Sequence, residues 1–245
     1  MRVVFIDVGK GDCILVFNEE FAFMIDTGDS NEFDKLSFTL EKYSIKKLDT
    51  LILTHPHLDH TGAFEQLNNR ISIGKVYMPK CIIIKENDGK FEFLKAGDKL
   101  LIGTCLMNVL SPCNKRYKNL NDYSIIIKLL VGNISFLFMG DATCLSEKEV
   151  LARNYDLKCD VLKVGHHGQK DASCMIFLEE ALPQYSIIST DNESNISSEV
   201  VDRLLKINSE ILITGKNGDI EFKTDGKKIL LRCEKSDDLF VKRIT

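Results

Sequence analysis

No apolar run in this chain of 245 residues reaches the roughly 18–20 needed to span a bilayer. The longest candidate, Ile125 to Met139, is interrupted by Lys128, Gly132 and Asn133 and reads as a hairpin. The N-terminal run meets Asp7 too early for a signal peptide. The eight cysteines include no CxxC pair and mostly sit in apolar stretches. That usage argues against a disulfide framework and suggests buried thiols in a reducing, cytoplasmic setting. Positive charge is not in excess: 32 Lys and Arg against 36 Asp and Glu leave a net charge of −4. A broad basic nucleic-acid surface is therefore not expected, although a local basic groove remains compatible. Pro/Ser-rich linkers, repeats and low-complexity tracts are also missing, so the chain reads as one domain, 1–245. Hydrophobic content of 44% and charged content of 28% are ordinary for a globular protein with a real core.

Histidine is scarce and clustered. All five lie in Thr54-His55-Pro56-His57-Leu58-Asp59-His60-Thr61-Gly62 or in Lys163-Val164-Gly165-His166-His167-Gly168. Scattered structural histidines would not gather this way. Imidazoles and carboxylates grouped around one or two divalent metals give the simplest reason.

The surrounding pattern places both segments at strand ends. Three short β-like runs open the chain: Val3–Val8, Cys13–Asn18 and Phe21–Asp26. Asn31 to Tyr43 has helical spacing, with Phe33, Leu36 and Leu40 on one face. Leu48–Thr54 reads as a buried strand, Thr61–Asn69 as a short helix and Lys75–Pro79 as the next strand. β-like runs follow at Leu100–Ile102, Leu106–Leu110, Ser124–Val131 and Ile134–Met139, the last two joined by a Gly132-Asn133 turn. Strand and helix then alternate. Helices are expected at Leu145–Arg153, Ser173–Leu182 and Ser198–Lys206, with strands at Val161–Val164 and Ser186–Ser189 between them. The end is β again: Ile211–Thr214, Asp219–Phe222 and Lys228–Arg232. Two β-rich halves, each followed by helices, predict two sheets packed face to face with helices outside.

Side chains two apart on an extended segment point the same way, so His55 and His57 can reach one metal together. After the turn, Asp59 and His60 can face a second. Such nitrogen and oxygen ligands suit zinc, manganese or iron. A metal-free catalytic dyad and an incidental polar loop are the competing readings. One segment cannot complete two metal shells, and Asp141, after the apolar strand Ile134–Met139, is a candidate bridge. Its competing role is a helix N-cap. At His166-His167, one imidazole should ligate and the other is free to bond an oxyanion or shuttle a proton.

HPHLDH, Ile25-Asp26-Thr27-Gly28, Met139-Gly140-Asp141 and Val164-Gly165-His166-His167-Gly168 occur in the order used by metallo-β-lactamase-fold hydrolases, which the chain resembles. Phe5-Ile6-Asp7-Val8-Gly9-Lys10-Gly11-Asp12, Asn121-Asp122-Tyr123-Ser124 and Asp160-Val161-Leu162-Lys163 are similar to motifs of the C-terminal hydrolase domain of ComEC/Rec2-type competence proteins. The likeness runs from about Arg2 to Phe222. It implies a four-layer αββα sandwich with a metal site at one edge between the sheets. Carried over by motif, it implies a first metal on His55 and His57, a second on Asp59 and His60, and Asp141 between them. His166, nearest the strand end, is expected to join the second metal. Asp26 would support the histidine loop from behind, unless it is only a turn-former. Two departures stand out. Asn121 and Asp122 occupy a region where the wider superfamily often has a third histidine for the first metal. Thr190 to Ser198 replaces a Tyr-Gly-His-Pro-like segment usual in the competence branch.

The expectation is a metal-dependent hydrolase with two zinc or manganese ions activating water, a phosphodiesterase or nuclease first of all. Asp59, His167 and Asn121 are its candidate catalytic residues. Lys115, Arg116 and Lys118 form a local basic loop for nucleic acid, although such clusters are more often merely solvated. Hydrolysis of a small phosphorylcholine-type ester, lactone or thioester is the first alternative. A metal-stabilised interaction module without turnover is the second.

Overall fold

The fold described below is that of a computed structural model, which covers residues 1–82 and 89–236, and the backbone of 240–242. The parts of the expected 1–245 domain at 83–88, 237–239 and 243–245 lie outside the described residues.

Two sheets account for the strands. The first contains β1 (Arg2–Phe5), β2 (Ile14–Phe17), β3 (Ala22–Ile25), β4 (Lys47–Ile52), β5 (Ser72–Met78) and β6 (Phe91–Phe93). The second contains β7 (Lys99–Ile102), β8 (Cys105–Ser111), β9 (Ile126–Val131), β10 (Ile134–Phe138), β11 (Val161–Lys163), β12 (Tyr185–Ile188) and β13 (Glu210–Ile213), in the order β13-β12-β11-β10-β9-β8-β7. The chain then returns to the first sheet with β14 (Ile220–Thr224), β15 (Ile229–Cys233) and β16 (Phe240–Lys242). That sheet therefore runs β16-β15-β14-β1-β2-β3-β4-β5-β6. The final strands thus complete the first sheet, with β14 antiparallel to β1 and Val3 opposite Phe222. Local sequence pattern carries no information on such a partner more than 200 residues away. The short edge strands β6 and β16 also went unread, for want of a long apolar run.

Helices cover both outer faces. α1 (Phe33–Lys42), α2 (Leu58–Thr61) and α3 (Phe64–Arg70) belong to the first half. The helix expected at Thr61–Asn69 is therefore two pieces broken at Gly62-Ala63. α4 (Cys144–Leu151), α5 (Met175–Ala181), α6 (Ser198–Lys206) and the single turn α7 (Thr214–Asn217) follow the second sheet's strands. Strand periodicity explains the layering. Val3 and Phe5 of β1 point into the space between the sheets, whereas Val4 points outward beneath Leu36, Leu40 and Leu67 of α1 and α3. In β10, Phe136 and Phe138 face inward, and Leu137 faces outward against Val150, Phe177 and Leu204 of α4, α5 and α6. Burial on both faces is why these strands read as continuous apolar runs. The layers are α, β, β, α.

Phe222 sits at the centre of the shared core, its ring 6.0 Å from Phe5, 6.1 Å from Phe136 and 5.4 Å from Tyr185. Phe222→Ala should therefore cost about 3–5 kcal/mol in urea unfolding. A loss under about 1 kcal/mol would mean that the inter-sheet core does not hold the layers together.

Candidate metal centre

The parallel strand pairs β3–β4 and β10–β11 lie in opposite sheets. Loops at the carboxyl ends of parallel strands are where α/β proteins gather polar groups. Asp26 follows β3, His55 and His57 follow β4, and Asp59 and His60 sit on α2. Asp141 follows β10, and His166 and His167 follow β11. Side chains from both sheets thereby meet at one edge.

Two ligand-type groups share Asp141. One is Asp59, His60, Asp141 and His167; the other is His55, His57 and Asp141, with the ligand atoms of each group all within 4.8 Å of one another. Asp141 Oδ1 lies 3.2 Å from His60 Nε2 and 3.3 Å from His167 Nε2, and these two nitrogens are 3.3 Å apart. Its Oδ2 lies 3.6 Å from His55 Nε2, which is 3.1 Å from His57 Nδ1. Asp59 Oδ2 is 3.4 Å from His167 Nε2.

The opposite ring nitrogens are already committed. His60 Nδ1–H donates to Asp26 Oδ2 at 2.7 Å, and His167 Nδ1–H donates to the Ser189 carbonyl at 2.9 Å. Thr54 Oγ1 donates to Asp26 Oδ2 at 2.6 Å and so receives His55 Nδ1–H at 3.2 Å. The Thr54 amide completes the clasp, 2.7 Å from Asp26 Oδ1. Asp26, wholly buried, thus orients both histidine groups. In neutral imidazoles these bonds turn the Nε2 lone pairs of His60 and His167 toward the carboxylate. Asp141 Oδ1 is buried and has no hydrogen-bond partner. Acceptors facing acceptors in a dry pocket require positive charge between them.

Protonation supplies that charge when nothing else does. Burial pulls His60 and His167 down. The Asp141 carboxylate outweighs it, with Asp26 adding to the effect at His60. The His60 pKa is held well above the usual imidazole range, and that of His167 is pushed up to about 9. Burial would raise Asp141, but His167 and His60 hold it well below the ordinary carboxylate value. Asp59 is likewise lowered: burial opposes, and the hydrogen bond with His167 prevails. His55 is pulled down by burial and then by His60. It is therefore a neutral nitrogen donor. This donor set fits divalent metals of the zinc or manganese type.

The structure brings His167, rather than His166, into the four-residue group, the reverse of the order expected from distance along the chain. Both residues adopt left-handed backbone, with φ of 48° and 51°. Such strain in consecutive non-glycine residues is tolerated where surrounding structure imposes it. The His166 amide is anchored 3.1 Å from the Gly140 carbonyl. The turn throws His166 outward and His167 inward. His166 Nε2 stays 3.9 Å from Asp141 Oδ2. Its Nδ1–H donates to Asp171 Oδ1 at 2.8 Å, and its Nε2 accepts from the Asn121 amide at 3.1 Å. Asn121 therefore contacts the site through His166. Asp122 turns away, its Oδ1 accepting from Thr143 Oγ1 at 2.6 Å and Ser146 Oγ at 3.1 Å.

Two supporting groups escaped the sequence reading. Asp12 Oδ2 and Lys163 Nζ form a wholly buried ion pair at 2.8 Å. Asp12 Oδ1 is 3.8 Å from His167 Nδ1. A lysine between Leu162 and Val164 in a buried strand was the available signal, because such a charge demands an acid partner. The turn that carries Asp12 needs Gly11: at its φ of +152°, a Cβ would meet the Asp59 carbonyl at 2.4 Å. Asp171, the partner of His166, is the second group.

Thr190 to Ser198 braces the histidine turn from behind. The Ser197 amide donates to the Gly168 carbonyl at 3.0 Å, and Gln169 donates to the Asn195 carbonyl at 2.9 Å. Lys115, Arg116 and Lys118 are exposed and form no ion pair among the described residues. Tyr117 anchors their loop, its hydroxyl accepting from the Cys113 and Asn114 amides at 3.0 and 2.9 Å.

Lys163→Met should cost about 3–5 kcal/mol in chemical unfolding, because it leaves Asp12 buried and unpaired. Adding Asp12→Asn should recover most of that loss. A double variant no more stable than the single one would contradict the pairing.

The comparisons with known proteins agree with this fold. A family model described as the metallo-beta-lactamase superfamily matches residues 6–190. The chain is similar to ComE operon protein 3 of Bacillus subtilis (strain 168), at 29% identity over 254 residues covering 91% of this chain and 33% of the relative. Recombination protein 2 of Haemophilus influenzae is 28% identical over 226 residues, covering 88% and 28%. Competence protein ComA of Neisseria gonorrhoeae is 24% identical over 226 residues, covering 88% and 31%. The chain spans about a third of the length of these curated relatives. Among solved structures, the metallo-beta-lactamase fold protein YhfI of Bacillus subtilis superposes with a TM-score of 0.64 at 13% identity, covering 90% of this chain and 99% of that one. A metallo hydrolase of Ignicoccus hospitalis gives a TM-score of 0.59 at 14% identity, covering 92% and 100%. With a family model matching most of its length, the chain belongs to the metallo-beta-lactamase superfamily.

Proposed function

We propose that the chain is a phosphodiesterase acting on nucleic acid, with His55, His57 and Asp141 holding one divalent metal and Asp59, His60, His167 and Asp141 the other. The observation that carries this reading is the convergence of both groups on the Asp141 carboxylate, whose Oδ1 has no hydrogen-bond partner. Metals bound there would supply Lewis acidity, lowering the pKa of water and offsetting charge on phosphoryl oxygens. The protein's own groups handle position and protons. Asp26 and the Ser189 carbonyl hold the His60 and His167 rings by their Nδ1 protons, leaving Nε2 for a ligand's role. Asp59, kept ionised beside His167, serves better as a ligand than as a base.

Proton delivery falls to His166. Its side chain is partly exposed, and Asp171 fixes its Nδ1–H. Nε2 is then the atom that can take up a proton and pass it to a leaving oxygen. Asn121, bonded to that Nε2, positions the ring. Lys115, Arg116 and Lys118, which form no ion pair among the described residues, lie just before the turn Leu120–Tyr123 that carries Asn121, which favours a polyanionic substrate. Relatives named for competence and recombination support the same substrate class.

Asp141→Ala should lose both metals and hydrolysis, whereas Asp122→Ala should keep its metal and lose stability, because Asp122 accepts the hydroxyls of Thr143, the N-cap of α4, and of Ser146. Element analysis beside urea unfolding separates the two. Full metal content and activity in Asp141→Ala would refute the shared-carboxylate role.

Changing Lys115, Arg116 and Lys118 together to Gln should flatten the log–log salt dependence of DNA or RNA binding by up to about three units. The KM for nucleic acid should rise, while turnover of a small chromogenic phosphodiester stays unchanged. An unaltered salt slope would mean that the loop is only solvated, and a small ester would become the better substrate assignment.

A further inference from the structure

A second cluster of ligand-type atoms lies outside the histidine edge. Cys144 opens α4, Glu147 sits one turn further on the same face, and Cys174 immediately precedes α5. One ligand atom from each lies within 4.8 Å of the other two, and no other such group among the described residues contains sulfur. The paired segments are held together independently, since the Cys144 amide donates to the Asp171 carbonyl at 2.7 Å.

Glu147 is the unusual member. It is fully buried, and its two oxygens accept the Ser173 and Cys174 amides at 2.5 and 2.7 Å. Those bonds leave further lone pairs on each oxygen. No Lys or Arg among the described residues forms an ion pair with it. Arg203, the nearby cation, instead directs its Nη1 to the Ala172 and Ser173 carbonyls at 3.1 and 2.7 Å. A buried carboxylate without a cation, facing two partly accessible thiols, is a donor set suited to a soft ion. Burial, and then the Glu147 charge, hold both thiols above their ordinary pKa, so they stay protonated until a cation displaces the protons.

We propose that Cys144, Glu147 and Cys174 form a binding site for a single thiophilic divalent cation of the zinc type, separate from the histidine site. Binding breaks two S–H bonds and forms two metal–sulfur bonds. Both protons pass to solvent, and Glu147 binds as its carboxylate, the cation offsetting the burial that pushes its pKa up. No oxidation is involved. The site lies behind the turn that presents His166, because Asp171 joins the two through its carbonyl and its carboxylate.

Cadmium(II) is the probe. The histidine site contains no sulfur, so a sulfur-to-cadmium charge-transfer band in the ultraviolet reads this cluster alone. Titration of the whole chain under a phosphine reductant should give a band that saturates at a single cadmium per chain. The band should be lost in Cys144→Ser/Cys174→Ser and retained in Cys113→Ser. In the wild-type protein, cadmium should also slow alkylation of Cys144 and Cys174, read by mass spectrometry, but not that of Cys113. This second measurement decides the matter if the double variant does not fold. No saturable band, a band that survives in the double variant, or unslowed alkylation of the pair would overturn the site.

Discussion

Everything at the histidine edge depends on one constraint: imidazole nitrogens crowd around Asp141, whose buried Oδ1 has no hydrogen-bond partner. The Nε2 atoms of His60 and His167 stand 3.2 and 3.3 Å from Asp141 Oδ1 because their Nδ1 protons are used elsewhere. Such an arrangement in a buried site is unfavourable unless a positive charge occupies it. Protons on the imidazoles meet that demand in one state and divalent metals meet it in the other, so the two compete. Asp26 makes the constraint rigid. It accepts from the Thr54 amide, the Thr54 hydroxyl and His60 together, and through Thr54 it also holds His55.

The sandwich exists to bring these atoms together from two sheets. Asp26, His55 and His60 come from the first, and Asp141 and His167 from the second. The shared core around Phe5, Phe136 and Phe222 fixes the separation of the sheets. The Asp12–Lys163 pair ties them again beside the site, since Asp12 lies between β1 and β2 and Lys163 ends β11. Both residues are hidden from solvent, so this link resists salt screening more than a surface pair would.

Much of this was legible in the sequence, for identifiable reasons. Apolar runs followed at once by His55-Pro56-His57, Asp141 or His166-His167 mark strand ends, and ligand-type residues there are read directly. The layers followed from two β-rich halves, each followed by helices. What stayed hidden depended on three-dimensional partners or on backbone handedness. Proximity to the strand end favoured His166, but two left-handed residues in succession turn His167 inward. Lys163 was visible as a charge in a buried strand, yet nothing local named Asp12 as its partner. β14 and β15 were visible as strands, yet their place beside β1 is a long-range pairing that periodicity does not encode. Asp122, next to the candidate Asn121, turns instead to the Thr143 and Ser146 hydroxyls at the start of α4, partners that its local sequence does not name.

The central claim is that His167 closes the four-residue group around Asp141 while His166 stands outside it. Metal content and hydrolysis measured in parallel on His166→Ala and His167→Ala test it most directly. The account predicts that His167→Ala loses a metal equivalent, whereas His166→Ala keeps full metal content and loses about 100-fold or more in rate. Loss of metal from His166→Ala with retention in His167→Ala would contradict it.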